Sequence, residues 1–134
     1  GIVGFITSKT MDYETLSKPP LSPPGIIFPI VWSILYTLMG ISFARLEINN
    51  LHNNETKKVY YEQLIINLSW PIFFFTFKWR LFSILIILLL LILVIRMIRV
   101  FYRKEKLAGL LQIPYLLWVS FATYLNISTY FLNN

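Results

Sequence analysis

Leu81-Phe82-Ser83-Ile84-Leu85-Ile86-Ile87-Leu88-Leu89-Leu90-Leu91-Ile92-Leu93-Val94-Ile95 is hydrocarbon interrupted by a single hydroxyl. Extended to Tyr102, the run is long enough for an α-helix to cross a bilayer core of roughly 30 Å, which takes about 20 residues. A helix apolar on every side needs either a large protein or a membrane around it. With 134 residues the chain cannot enclose this run together with three more, at 26–44, 64–77 and 107–132, which hold almost no ionised group. The composition agrees: 57% of residues are apolar, only 13% are charged, and the mean hydropathy is +0.65. An ordinary soluble domain carries roughly a quarter charged residues. The fold class is therefore an all-α integral membrane protein, with no repeat, low-complexity tract or second domain.

Working outward from that run, the spacing predicts four spans, at 26–46, 59–77, 81–102 and 107–132. Lys78-Trp79-Arg80 is a very short link, so the second and third spans should lie antiparallel side by side. Residues 1–7 are apolar but too short to cross. Residues 8–25, with Lys18-Pro19-Pro20 and Pro23-Pro24-Gly25, read as a stiff loop, because proline fixes φ and removes a donor. Lys and Arg then set the orientation. Arg45, Lys57, Lys58, Arg96, Arg99, Arg103, Lys104 and Lys106 fall on one face; Lys9, Lys18, Lys78 and Arg80 fall on the other. The positive-inside rule puts the richer face in the cytoplasm and the proline-rich loop and C-terminus outside. The net charge of +6 sits at span ends, where anchoring and anionic lipid explain it and nucleic acid does not.

Without cysteine, disulfides, thiolate metal sites and CxxC redox chemistry are excluded. The one histidine, His52, lies in the polar stretch 49–54 and reads as a solvated loop residue. No carboxylate pair, Ser–His arrangement or metal cluster falls within the spans, so no catalytic or metal-ligating residues are assigned.

The spans instead carry neutral polar and aromatic residues at helical spacing. Phe28, Trp32, Tyr36 and Gly40 recur every four residues in the first. Gln63, Asn67, Trp70 and Phe74 follow i, i+4, i+7, i+11 in the second. Tyr115, Trp118, Ala122, Leu125 and Asn126 follow i, i+3, i+7, i+10, i+11 in the last. Each set occupies one helix face. Pro71 also deprives the Asn67 carbonyl of its helical donor. Such stripes are commonly packing, but three of them, each mixing rings with amide, hydroxyl or small residues, describe an apolar cavity with a few convergent polar groups.

These residues resemble the translocator protein family, also called TspO/MBR or tryptophan-rich sensory proteins. The resemblance is carried by Tyr13-Glu14-Thr15-Leu16-Ser17-Lys18-Pro19, Pro23-Pro24-Gly25, Phe28, Trp32 and Leu35-Tyr36-Thr37-Leu38-Met39-Gly40. It continues through Gln63-Leu64, Asn67, Trp70 and Phe74, and through Pro114-Tyr115-Leu116-Leu117-Trp118 and Phe121-Ala122-Thr123-Tyr124-Leu125-Asn126. The resemblance implies a five-helix transmembrane bundle, of which this chain holds helices two to five and the end of helix one at 1–7. It implies a membrane site for porphyrins such as protoporphyrin IX and for hydrophobic drugs of the benzodiazepine-site class. The porphyrin is then a ligand, with no cofactor required. It also implies a homodimer in a bacterial cytoplasmic membrane.

By position, the implied ligand-binding residues are Tyr13, Pro23, Phe28, Trp32, Tyr36, Asn67, Phe74, Trp118, Ala122 and Leu125, with Lys18 able to meet a propionate. Asn67 would be an orienting amide. Three departures stand out. Position 71 is proline where serine is usual, the acidic residue many members carry near the start of helix four is missing from 85–89, and 124–134 lacks the basic residue that ends a cholesterol motif. Light-dependent porphyrin degradation, if present, would draw its reactivity from the excited ligand, with Trp32 and Trp118 as relays. The alternatives are a facilitative transporter of tetrapyrroles or drugs, and a structural or sensory membrane partner in which the stripes are packing.

Overall fold

The computed structural model describes residues 25–76 and 80–133, the side chains of 75, 76, 80 and 133 excepted. The expected segments 1–7 and 8–25 lie outside these residues up to position 24, as do Tyr13, Lys18 and Pro23. The described chain is helical throughout: α1 (Ile27–Ile48), α2 (Asn54–Pro71) continuing into a π-helical turn (Ile72–Thr76), α3 (Arg80–Lys104), short α4 (Lys106–Leu110) and α5 (Ile113–Asn133).

Local chemistry sets the ends. α1 stops in a Schellman turn: Asn50 takes φ 56°, its N–H reaches Glu47 O at 3.1 Å, and Leu51 N–H reaches Leu46 O at 2.8 Å. Asparagine tolerates this left-handed conformation better than other side chains. α2 opens on a reciprocal cap, with Thr56 N–H on Asn53 Oδ1 and Asn53 N–H on Thr56 Oγ1, both 2.9 Å. At its other end the missing Pro71 donor is followed at once by the wider π-helical turn.

Three stretches, Ile27–Ile48, Leu81–Lys104 and Lys106–Leu132, are long and apolar enough to cross a membrane. The first and third expected spans are found within two residues of their bounds. The second begins earlier than expected, at Asn54, so that α2 takes in Glu55, Lys57 and Lys58 in addition to Glu62 and falls short of membrane composition. The last expected span is broken at Leu111–Gln112, because Pro114 has no N–H to continue the ladder from Leu110. The described residues thus hold three membrane-capable helices, and the expected count of five transmembrane helices is not confirmed.

α3 is central, packed along α2 on one side and α5 on another. Its inner face is Ile87, Leu90, Val94, Met97 and Phe101, all buried. In lipid an apolar surface gains little by leaving the solvent, so association rests on close packing and interhelical hydrogen bonds. The burial pattern follows: Ser42, Gln63, Asn67, Ser83, Gln112, Asn126 and Thr129 are buried, while Ile30, Ile34, Leu85, Ile92 and Leu117 face outward. Gly109 shows how closely α4 folds back on α3: a Cβ there would sit 2.6 Å from Tyr102 Cβ.

The charged ends of α1, α2 and α3 adjoin, as the loop arithmetic requires. Arg45 donates to Glu105, Asn49 Nδ2 donates to the other Glu105 oxygen at 3.1 Å, and Arg96 meets Glu62 at 3.4 Å. His52 corrects the sequence reading. Its side chain is only 5% exposed, with Nε2 2.9 Å from Phe43 O, Nδ1 2.9 Å from Thr56 Oγ1, and its ring centroid 4.1 Å from that of Phe43. The Schellman turn folds the polar loop back over the helix ends, so this imidazole packs instead of facing water.

Candidate functional site

α1 and α5 are joined by rings. The closest backbone contact of α1 is with α4, where Ser42 Oγ donates to Ala108 O at 2.5 Å and accepts from Gln112 Nε2 at 3.2 Å. Toward the N-terminus of α1 the interval is filled by aromatic side chains. Trp32 lies 5.6 Å from Tyr36, 6.2 Å from Tyr115 and 6.5 Å from Trp118 between centroids, the last two edge to face. Phe28 meets Trp118 at 5.6 Å, and Trp118 meets Phe121 at 5.7 Å. The four-residue rhythm of α1 and the i, i+3 step of α5 are what bring these rings together.

Under the rings lies a closed polar chain. Tyr36 Oη donates to Asn67 Oδ1 at 2.5 Å, and Asn67 Nδ2 donates to Tyr115 Oη at 2.6 Å. Tyr115 in turn donates to Gln63 Oε1 at 2.7 Å, and Gln63 Nε2 donates to Tyr60 O at 2.8 Å. Buried amides and hydroxyls in hydrocarbon need such partners. Each heteroatom of the Asn67 side chain is engaged, so in this arrangement the amide holds Tyr36 and Tyr115 in place. A second chain sits farther along: Trp70 Nε1 donates to Asn126 Oδ1 at 2.7 Å, and Asn126 Nδ2 donates to Ser83 Oγ at 3.3 Å.

On the outer side of the rings is an apolar groove of about 350 Å³ between α1 and α5, lined by Val31, Ile34, Leu35, Pro114, Leu117, Trp118 and Phe121. The Trp118 Nε1 hydrogen is buried and has no acceptor among the described residues.

Of the expected site residues, Phe28, Trp32, Tyr36, Asn67 and Trp118 converge here. Phe74 is buried but stacks on Trp70 at 5.1 Å, beside the second polar chain. Ala122 and Leu125 are buried one and two turns beyond Trp118 on α5. Tyr13 and Pro23 are outside the described residues. Two members of the stripes, Tyr115 and Gln63, fall outside the set that the resemblance implies, although Tyr115 touches both Trp32 and Asn67. Their signal was present as i, i+3 from Trp118 and i, i+4 from Asn67. Among the described residues no group of His, Asp or Glu is placed to hold a metal ion.

The TspO/MBR family model matches residues 1–132. The chain is 40% identical over 124 residues to the tryptophan-rich protein TspO of Chlorobaculum tepidum, covering 90% of this chain and 78% of that one. It is 34% identical over 136 residues to protein CrtK of Rhodobacter capsulatus, covering 99% and 85%. With the human translocator protein the identity is 32% over 122 residues, covering 85% and 70%. The chain is an integral membrane protein and belongs to the TspO/MBR family.

Proposed function

We propose that this protein binds flat hydrophobic ligands of the protoporphyrin IX type within the bilayer, at the aromatic seam between α1 and α5. The carrying observation is the buried Trp118 N–H, which has no acceptor among the described residues and lies where Phe28, Trp32 and Phe121 close round it, beside an apolar groove. An aromatic wall with one unanswered donor suits a polycyclic ligand carrying an acceptor at its edge. The groove volume is at the lower end for drug-sized molecules, so a benzodiazepine-site type drug fits it more fully than a tetrapyrrole, which would keep part of its surface toward lipid. The polar chain behind the wall supports it by fixing Tyr36 and Tyr115, against which Trp32 rests. Names such as tryptophan-rich sensory protein, borne by a relative in Cereibacter sphaeroides, agree with a ligand-reading role. The face bearing Arg45 and Arg96–Lys106 is cytoplasmic in this reading, the C-terminus is outside, and the protein works as a homodimer in a bacterial cytoplasmic membrane.

The test is titration of detergent-solubilised protein with protoporphyrin IX, read by tryptophan quenching and by the porphyrin absorption band. Trp32→Phe and Trp118→Phe should both weaken saturable binding while Tyr102→Phe, at an exposed position toward the C-terminal end of α3, does not. Absence of saturable binding by folded protein, or equal weakening by all three, would overturn the assignment.

A further inference from the structure

We propose that the outer face of α3 holds one anionic glycerophospholipid, with an acyl chain along Leu85–Ile95 and its phosphate on Arg99 and Arg103. Leu81, Leu85, Leu88, Ile92, Ile95 and Arg99 follow i, i+4, i+7, i+11, i+14, i+18, a single line along the helix. The five apolar members are all exposed, Leu85 at 59% and Ile92 at 63%, on the side opposite the buried Ile87, Leu90, Val94 and Met97. From Leu85 to Ile95 the helix rises about 15 Å, the depth of one leaflet of a core of roughly 30 Å. The line then ends in guanidinium groups, Arg99 on its axis and Arg103 one turn beyond, with exposed Tyr102 beside them.

Hydrocarbon leading into cations is the order of groups in an anionic lipid. Arg99 and Arg103 are exposed and form no ion pair with another described residue, whereas Arg45 is held by Glu105 and Arg96 by Glu62. The negative C-terminus of α3 offsets about half a charge, which leaves more than one positive charge unanswered. On α1, by contrast, the outward Ile30, Ile34, Ile41 and Ile48 end beside Glu47 and Asn49, and the Arg45 four residues after Ile41 is held by Glu105. A second copy of this chain fits the α3 line less well, since parallel two-fold pairing would set Arg99 against its own copy.

Native mass spectrometry of the purified full chain, exchanged into mixed micelles with equal phosphatidylglycerol and phosphatidylcholine, tests the proposal. One phosphatidylglycerol should be retained preferentially. Each basic residue near an anionic surface is worth about fivefold, so Arg99→Gln with Arg103→Gln should reduce that preference by about 25-fold. Arg99→Lys with Arg103→Lys should keep most of it. Lys57→Gln with Lys58→Gln removes the same charge from the same end of the bundle, next to Glu55, and should leave the preference within about twofold. Glycerol phosphate should not displace the lipid, because it lacks the chain. Equal retention of both lipids, equal loss in the lysine control, displacement by glycerol phosphate, or a dimer that the arginine substitutions dissociate would each overturn the assignment.

Discussion

Replacing Tyr115 by Phe removes one oxygen and almost no volume, and it isolates the worth of the polar chain. Tyr115 is 1% exposed and its hydroxyl both accepts from Asn67 Nδ2 at 2.6 Å and donates to Gln63 Oε1 at 2.7 Å. In Tyr115→Phe an amide N–H and an amide oxygen lose their partners at a depth where water does not replace them. Interhelical hydrogen bonds in membranes average about 0.6 kcal/mol, which puts two of them near 1.2 kcal/mol. Orphaning a buried polar group costs about 1–3 kcal/mol. Gln63 and Asn67 are buried, but Gln63 Nε2 and Asn67 Oδ1 keep their other bonds, to Tyr60 O and Tyr36 Oη. The expected loss is therefore about 2 kcal/mol. Equilibrium unfolding in mixed micelles with rising SDS measures it. Tyr36→Phe, which removes one bond at a half-buried position, should cost about half as much. If Tyr115→Phe unfolds at the parent's midpoint, or if Tyr36→Phe costs more, the chain of bonds is not what holds these helices together.

Three further outcomes are expected. Gly109→Ala should destabilise by about 2–3 kcal/mol, since its Cβ would meet Tyr102 Cβ at 2.6 Å and Cα at 2.7 Å, whereas Gly40→Ala, with nothing within 4 Å, should be neutral or gain up to about 1 kcal/mol from helix propensity; thermal unfolding of the pair in detergent measures both. Asn50→Gly should be neutral or slightly stabilising and Asn50→Val destabilising by about 1–2 kcal/mol, because φ there is 56°; SDS titration separates them. Glu105→Gln keeps one acceptor but discharges the Arg45 partner, and with the pair 40% and 19% exposed the loss should stay near 1 kcal/mol and shrink in high salt, as melting curves at two ionic strengths would show.

Periodicity was enough to find α1, α3 and the faces that meet at the site, because in a bundle the face is decided by local spacing. Trp32, Tyr36 and Trp118 could be placed this way, and Tyr115 and Gln63 lay on the same stripes. What the stripes could not say is which polar atoms pair across helices. The α2 stripe in fact divides: Gln63 and Asn67 serve the tyrosines, while Trp70 turns to Asn126. The burial of His52 is not legible in the sequence, because it depends on a turn at the left-handed Asn50 that returns the chain over Phe43. The break before α5 was written in Pro114, but an apolar run on both sides of it concealed the effect.

The polar contacts occur at three heights: Ser42 with Ala108 and Gln112, then Tyr36 with Asn67, Tyr115 and Gln63, then Trp70 with Asn126 and Ser83. Apolar helices in lipid have little to stop them sliding past one another, since a one-turn slip of about 5.4 Å exchanges leucine for leucine. Here a slip of α1 would break the bonds at the first two levels together, and a slip of α2 those at the last two. The bundle is keyed along its long axis as a lock is by pins cut to different depths, and Tyr36 and Tyr115, bonded to the same Asn67, hold the seam between α1 and α5 in register.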